Sequence, residues 1–255
     1  ILGRVLWGWV KRDEIVLATK VFGDEDPNWR GLSRRIIMRQ IDNSLKRLQT
    51  DYVDLYQIHR WDPVTPIEET MEALNDVVRA GKARYIGASS MYAWQFSKAQ
   101  QVAKENGWAR FISMQNQVNL IYREEEREMI PLCLDQGVGL IPWSPIARGK
   151  LARPVGISTA RAETDNVLEN MYSKTIDADN AVISNVEAIG NEIGRPMVQV
   201  ALAWIRQKKG VAAPIIGYTR SEQFEQMLGG LDLVLDQEMI DRLEAPYVPH
   251  VPVGF

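Results

Sequence analysis

Two ionisable side chains stand at the ends of short apolar runs. Lys20 closes Glu14-Ile15-Val16-Leu17-Ala18-Thr19-Lys20, and His59 closes Tyr52-Val53-Asp54-Leu55-Tyr56-Gln57-Ile58-His59. One helix-sized segment separates them. Parallel α/β enzymes present their catalytic groups in this way, from the carboxyl ends of successive strands. Alone, either residue reads as an ordinary strand-end side chain reaching water. Together, in the same slot of successive units, they point to catalysis.

The other strand exits carry groups of the same kind. They are Ser89 and Ser90, Gln115, Trp143 and Ser144, then Gly217, Thr219 and Arg220. Ser89, Ser90 and Gln115 suit a planar amide, and the Trp143 indole suits a flat ring. Gly217 and Thr219, at a helix start, suit a phosphate through backbone N–H groups, and Arg220 adds a two-pronged clamp. Taken singly, Gln115 reads equally well as a polar cap, Trp143 as core and Arg220 as a solvated helix charge. As an ordered set they read as one site.

The elements that must position these residues alternate strand and helix. Ser33 caps a helix that places Ile36, Ile37, Ile41, Leu45 and Leu48 on one face. Pro66 opens a second, with Met71, Leu74, Val77 and Val78 inward and Gly81 as its stop. Ala83–Ser89 and Phe111–Gln115 read as strands, with a helix around Trp94–Asn106 between them. A charged helix is expected over Arg123–Gln136 and a strand over Val138–Pro145. The span from Ile146 to about Asp177 breaks the rhythm, and a loop of that length reads as a functional lid. Helices near Asn180–Ile193 and Pro196–Gln207 follow, then a strand over Val211–Ile216. A helix from Ser221 and a short one near Gln237–Leu243 precede a Pro-rich tail.

Six strand–helix units can be counted. Apolar runs without alternation imply strands covered on both faces, hence a parallel sheet. Such a series closes into a (β/α)8 TIM barrel at eight units. The chain opens on Ile1-Leu2-Gly3-Arg4-Val5-Leu6-Trp7, without Met, in a pattern like the middle of a helix. The expectation is one α/β domain over 1–255 whose first two βα units are largely missing ahead of Ile1.

Composition narrows the chemistry. The 255 residues are 45% hydrophobic and 25% charged, with net charge −3, so no electrostatic reason favours nucleic acid or an anionic membrane as partner. No apolar run reaches membrane-spanning length, and no signal segment opens the chain, so a cytoplasmic protein is expected. The lone cysteine, Cys133, sits among apolar residues and reads as a buried, inert thiol. Only two histidines occur, His59 and His250, which excludes a multi-histidine metal site. His250 reads as structural or exposed. Neither a Gly-x-Ser-x-Gly elbow nor a Gly-rich phosphate loop with Lys-Ser/Thr is present.

Several segments together resemble the aldo-keto reductases. They are Ala18-Thr19-Lys20, Asp51-Tyr52-Val53-Asp54-Leu55-Tyr56-Gln57-Ile58-His59-Arg60-Trp61-Asp62, Gly81-Lys82-Ala83-Arg84-Tyr85-Ile86-Gly87, Ile141-Pro142-Trp143-Ser144-Pro145 and Ala213-Pro214-Ile215-Ile216-Gly217. The likeness is greatest to the branch of aryl-alcohol dehydrogenases and potassium-channel β subunits. It implies an NADPH-dependent oxidoreductase that reduces aldehydes or ketones to alcohols, with no metal.

The family's catalytic Lys and His match Lys20 and His59. Its catalytic Asp and Tyr are expected ahead of Ile1. The Tyr gives a proton to the carbonyl oxygen, Lys20 would lower that Tyr's pKa, and His59 would orient the substrate oxygen. Without the Tyr, a relay normally contributing about 100- to 10,000-fold is lost, so a chain starting at Ile1 is expected to be nearly inactive.

For NADPH/NADP+, the resemblance gives Ser89 and Gln115, with Ser90 less securely, to the nicotinamide carboxamide and Trp143 to its ring. It gives Ser144, Pro145, Ile146, Arg148 and Gly149 to the pyrophosphate. Gly217, Thr219, Arg220, Gln223 and Gln226 fall to the adenosine 2′-phosphate end. Trp61, Trp29, Tyr247 and Phe255 are candidates for an apolar substrate mouth, and ordinary packing explains them as well. Two alternatives stand beside the reductase: an NADPH-binding regulatory subunit of the channel-β type, and a sugar-phosphate-converting enzyme.

Overall fold

The computed structural model describes residues 1–23, 27–157, 172 and 175–252. The chain packs as two compact units. One comprises Ile1–Gln115 with Asp135–Val138, the other Asn116–Leu134 with the residues from Gly139 onward.

In the first unit four strands run parallel and pair in chain order: β1 (Ala18–Val21), β2 (Val53–Ile58), β3 (Ala83–Ser89) and β4 (Phe111–Gln115). Their continuous apolar runs bury Val53, Tyr56, Ile58, Ile86 and Met114 completely. The opening residues are helical, as α1 (Leu2–Val5) and a 3-10 turn at Leu6–Gly8. Trp7 Nε1 there donates to Leu48 O at 2.8 Å. Strand β1 is shorter than expected: Arg12–Glu14 forms a 3-10 turn, and the Arg12 guanidinium spans Ile15 O, Tyr52 O and Asp54.

Helices α2 (Arg34–Leu48), α3 (Ile67–Arg79) and α4 (Ala93–Glu105) alternate with the strands. Ile36, Ile37 and Ile41 of α2 and Met71, Leu74 and Val77 of α3 are buried, while Leu45, Leu48 and Val78 are half-buried. Tyr56 reaches α2 by donating to Ile37 O at 3.3 Å. Gly81 stops α3 with φ +73°, a left-handed value that costs a glycine nothing sterically.

The second unit departs from expectation wherever proline intervenes. Residues 123–136 do not form one helix. A 3-10 turn at Glu124–Glu126 precedes α5 (Met129–Asp135), whose first turn holds Pro131, where the missing N–H has no helical partner to lose. The strand expected over Val138–Pro145 pairs regularly only as β5 (Gly139–Leu140). The one expected over Val211–Ile216 survives as isolated parallel bridges, Leu140 with Val211 and Trp143 with Ile215. Pro142 and Pro214 each remove a ladder donor there.

Among the described residues, this unit also holds helices α6 (Ile176–Ile193), α7 (Met197–Gln207), α8 (Ser221–Leu228) and α9 (Gln237–Glu244). Every residue of α7 from Met197 to Ile205 is buried, as in a helix apolar on all sides. Its Trp204 Nε1 donates to Glu244 Oε1 at 2.8 Å. Glu244 also pairs with Lys208 and Arg123. Half of the lid expected between Ile146 and Asp177, residues 158–171 and 173–174, lies outside the described residues.

Candidate active site

In the first unit, strand register sets the candidate residues in rows. Lys20, Gln57, Gly87 and Ser113 are partners across β1, β2, β3 and β4. Two residues on, Ser89 pairs with Gln115. His59 lies two beyond Gln57, its N–H donating to Val21 O at 2.8 Å. Side chains two apart on a strand share a face, so Lys20, His59, Ser89 and Gln115 belong to one side of the sheet near its carboxyl end.

The site is electropositive. Burial and then the Arg60 guanidinium lower the Lys20 pKa, although its side chain stays open to solvent along part of its length. His59 is lowered by burial, then by Arg60, then by Lys20, so its imidazole is neutral at neutral pH. His59 is thus near enough to Lys20 to sense its charge. Arg60 is held in place by its bond from Nη1 to His59 O at 2.6 Å.

Neighbouring loops are braced by Asp62. Its carboxylate accepts from Leu32 N–H at 2.8 Å, Val64 N–H at 2.9 Å and Thr65 Oγ1 at 2.7 Å. Burial opposes its ionisation, but these bonds hold its pKa below the ordinary value. Gly31, at φ +98°, passes so close that a Cβ would lie 2.7 Å from Asp62 Oδ2. The Asp of the His-Arg-Trp-Asp run therefore fixes the loops behind β1 and β2.

Ser89 Oγ donates to Gln115 O at 2.8 Å, and Ser90 N–H reaches the same carbonyl at 3.2 Å. Ser90 adopts φ +31° to do so. Trp61 lies 6.0 Å from Trp94, ring centre to ring centre, in a tilted pair. Trp29 instead lies against α2, with the Arg39 guanidinium 3.1 Å above its ring.

The remaining candidates belong to the second unit. Trp143 N–H donates to Asn116 O at 2.8 Å, and the residue is bridged to Gln117 on one side and Ile215 on the other. Beyond it the backbone turns left-handed at Ser144 (φ +56°), Ala147 (+47°), Arg148 (+55°) and Gly149 (+96°). Strained runs of this kind mark functional loops, and the concave backbone they form suits an anion. Pro145 is buried, Ile146 half-buried and Arg148 exposed. Asn119 Nδ2 ties Ser144 O at 3.0 Å and also donates to Tyr172 Oη at 3.1 Å.

Gly217, Thr219, Arg220 and Gln226 are exposed, and Gln223 is half-buried. Gln223 Oε1 accepts from Thr219 N–H at 3.1 Å and Arg220 N–H at 3.3 Å. The N–H groups expected to meet a phosphate are therefore capped by Gln223, which must swing aside to free them. Gln226 contributes its carbonyl to Gln199 Nε2 at 2.8 Å.

Tyr247 is structural: its hydroxyl donates to Glu124 at 2.6 Å and accepts from Arg123 N–H. His250 is structural too, with Nε2 2.9 Å from Asp179 in a buried pair. Cys133 is buried, and burial pushes its thiol up to about 12. Phe255 lies outside the described residues. The sequence reading passed over Gln57, Asn119 and Tyr172. Only Gln57 left a signal, being polar and two residues before His59.

Comparison with known proteins shows the family of the chain. The Aldo/keto reductase family profile matches residues 1–247. A versiconal hemiacetal acetate reductase of Aspergillus parasiticus is 51% identical over 221 residues, covering 86% of this chain and 64% of the relative. An aldo-keto reductase of Fusarium vanettenii is 46% identical, covering 86% and 59%. A Schizosaccharomyces pombe protein named for aryl-alcohol dehydrogenase is 44% identical, covering 92% and 69%. The chain thus spans roughly three fifths to two thirds of the length of these relatives. No helix among the described residues is long and apolar enough to cross a membrane. From the parallel βα order, the family profile and these relatives together, the chain belongs to the aldo/keto reductase family.

Proposed function

We propose that the protein reduces aldehydes or ketones to alcohols with NADPH. The observation that carries this reading is the Lys20–His59 pair, set at the ends of adjacent parallel strands with His59 sensing the Lys20 charge. The residues present suit the cofactor. Gln115 offers a buried amide for the carboxamide. The left-handed run Ser144–Gly149, with exposed Arg148, offers a cationic concave backbone for a pyrophosphate. When bound, the reduced nicotinamide supplies the hydride. Lys20 steadies the negative charge that grows on the carbonyl oxygen, which takes its proton from the general-acid Tyr that the family resemblance implies. The neutral His59 donates a hydrogen bond to that oxygen and orients it. Trp61, beside Trp94, offers an aromatic flank, which favours aryl substrates.

The test is NADPH oxidation by the full-length protein with an aromatic aldehyde and, separately, a pentose phosphate. Turnover of the aldehyde supports the reading. Turnover of the sugar phosphate alone favours the sugar-phosphate alternative, and tight NADPH retention without turnover of any carbonyl favours the regulatory one. Arg220 carries a second expectation. A guanidinium fork matches a phosphate dianion, so Arg220→Ala should weaken NADPH binding about 10- to 100-fold while barely changing NADH binding. Equal loss for both nucleotides in a fluorescence titration would refute it.

A further inference from the structure

Gln57 lies in the row of Lys20, one layer beneath Gln115. It is only 1% exposed, and among the described residues its Nε2 has no hydrogen-bond partner. Its Oε1 accepts from Gln115 Nε2 across a long 3.5 Å. Gly87, its register partner on β3, makes room for this. A Cβ there would lie 2.3 Å from Ser113 Oγ and 3.2 Å from Gln57 Cγ, so both polar side chains lean over the glycine. Ser113 Oγ is likewise without a partner. A primary amide held this deep costs free energy that an apolar side chain would not. Its orientation is also fixed, because a rotated amide would set two NH2 groups against each other.

We infer that Gln57 is a positioning residue that fixes the Gln115 side chain for a nicotinamide carboxamide. This rests on the NADPH reading above. With one Gln115 N–H directed down to Gln57, the second N–H and Oε1 form a donor–acceptor edge. A carboxamide matches that edge in only one of its two orientations. Gln57 thereby selects the cofactor's amide end from below, without touching it, and Gly87 is the gap that lets it reach.

The test is Gln57→Met, which keeps the volume and removes the acceptor. NADPH affinity, followed by fluorescence titration, should fall about 10-fold. Affinity for the adenosine bisphosphate half of the cofactor, which lacks the carboxamide, should not change. The melting temperature should hold or rise, since an orphaned buried amide is gone. In a Gln115→Met background, Gln57→Met should cause no further loss. Unchanged NADPH affinity, equal loss for both ligands, or full additivity with Gln115→Met would each overturn the assignment. Wild-type protein that binds the adenosine half but not NADPH would instead overturn the cofactor reading, and this assignment with it.

Discussion

Lys20→Met is expected to lower kcat for carbonyl reduction by about 100- to 10,000-fold, the usual contribution of a proton-handling group. The melting temperature should hardly move, because the side chain reaches solvent and crosses no core. Affinity for NADPH should also hold, because the role proposed for Lys20 is at the reacting oxygen rather than at the nucleotide. A second readout separates this role from a structural one. The Lys20 charge is one of three causes that depress the His59 pKa, after burial and Arg60. Removing it should raise the acid limb of the pH–rate profile toward the ordinary histidine value of 6.5. A kcat within severalfold of wild type, with an unmoved acid limb, would end the catalytic assignment of Lys20.

The largest expected change in stability belongs to Glu125. It is 6% exposed, and burial pushes its carboxyl up to about 7 against the single opposing bond from Asn116 Nδ2 at 3.4 Å. In the unfolded chain the same group ionises near 4.5. Between those values the folded protein binds more protons than the unfolded one, so stability falls as pH rises through that window and stays low above it. The loss amounts to about 3 kcal/mol.

Glu125→Gln imitates the neutral acid at every pH. It should match wild type near pH 4 and exceed it near pH 8 by about 3 kcal/mol, or about 6 to 12 °C in Tm. Thermal melts at the two pH values check this, and parallel pH profiles for the two proteins would contradict it. Asn116 accepts the N–H of Trp143 through its backbone, so the effect originates beside the segment that places that ring.

Some of this was legible in the chain. Strands β3 and β4 begin and end where their apolar runs meet turn residues, and α3 stops at Gly81, where only the backbone freedom of glycine was needed to read it. Those signals are local. The misjudged elements of the second unit failed at prolines, whose effect depends on which neighbouring strand lacks a donor, while β1 was shortened by the Arg12–Glu14 turn. Pro131 splits a charged run into a turn and a helix, and Pro142 and Pro214 reduce two strands to bridges.

The candidate site divides in the same way. Lys20, His59, Ser89 and Gln115 follow from strand ends alone. The fates of Trp29 and Tyr247 do not, since the first is decided by Arg39 on a helix face and the second by Glu124, 123 residues away. Gln57 left only a faint signal, a polar residue two before His59, until its unpaired Nε2 among the described residues set it apart.

Strands β2, β3 and β4 each pair with the strand made just before them. A ribosome therefore releases these four strands in the order in which they assemble. The nascent chain closes only short loops as it grows, and every new strand finds its template already outside the exit tunnel.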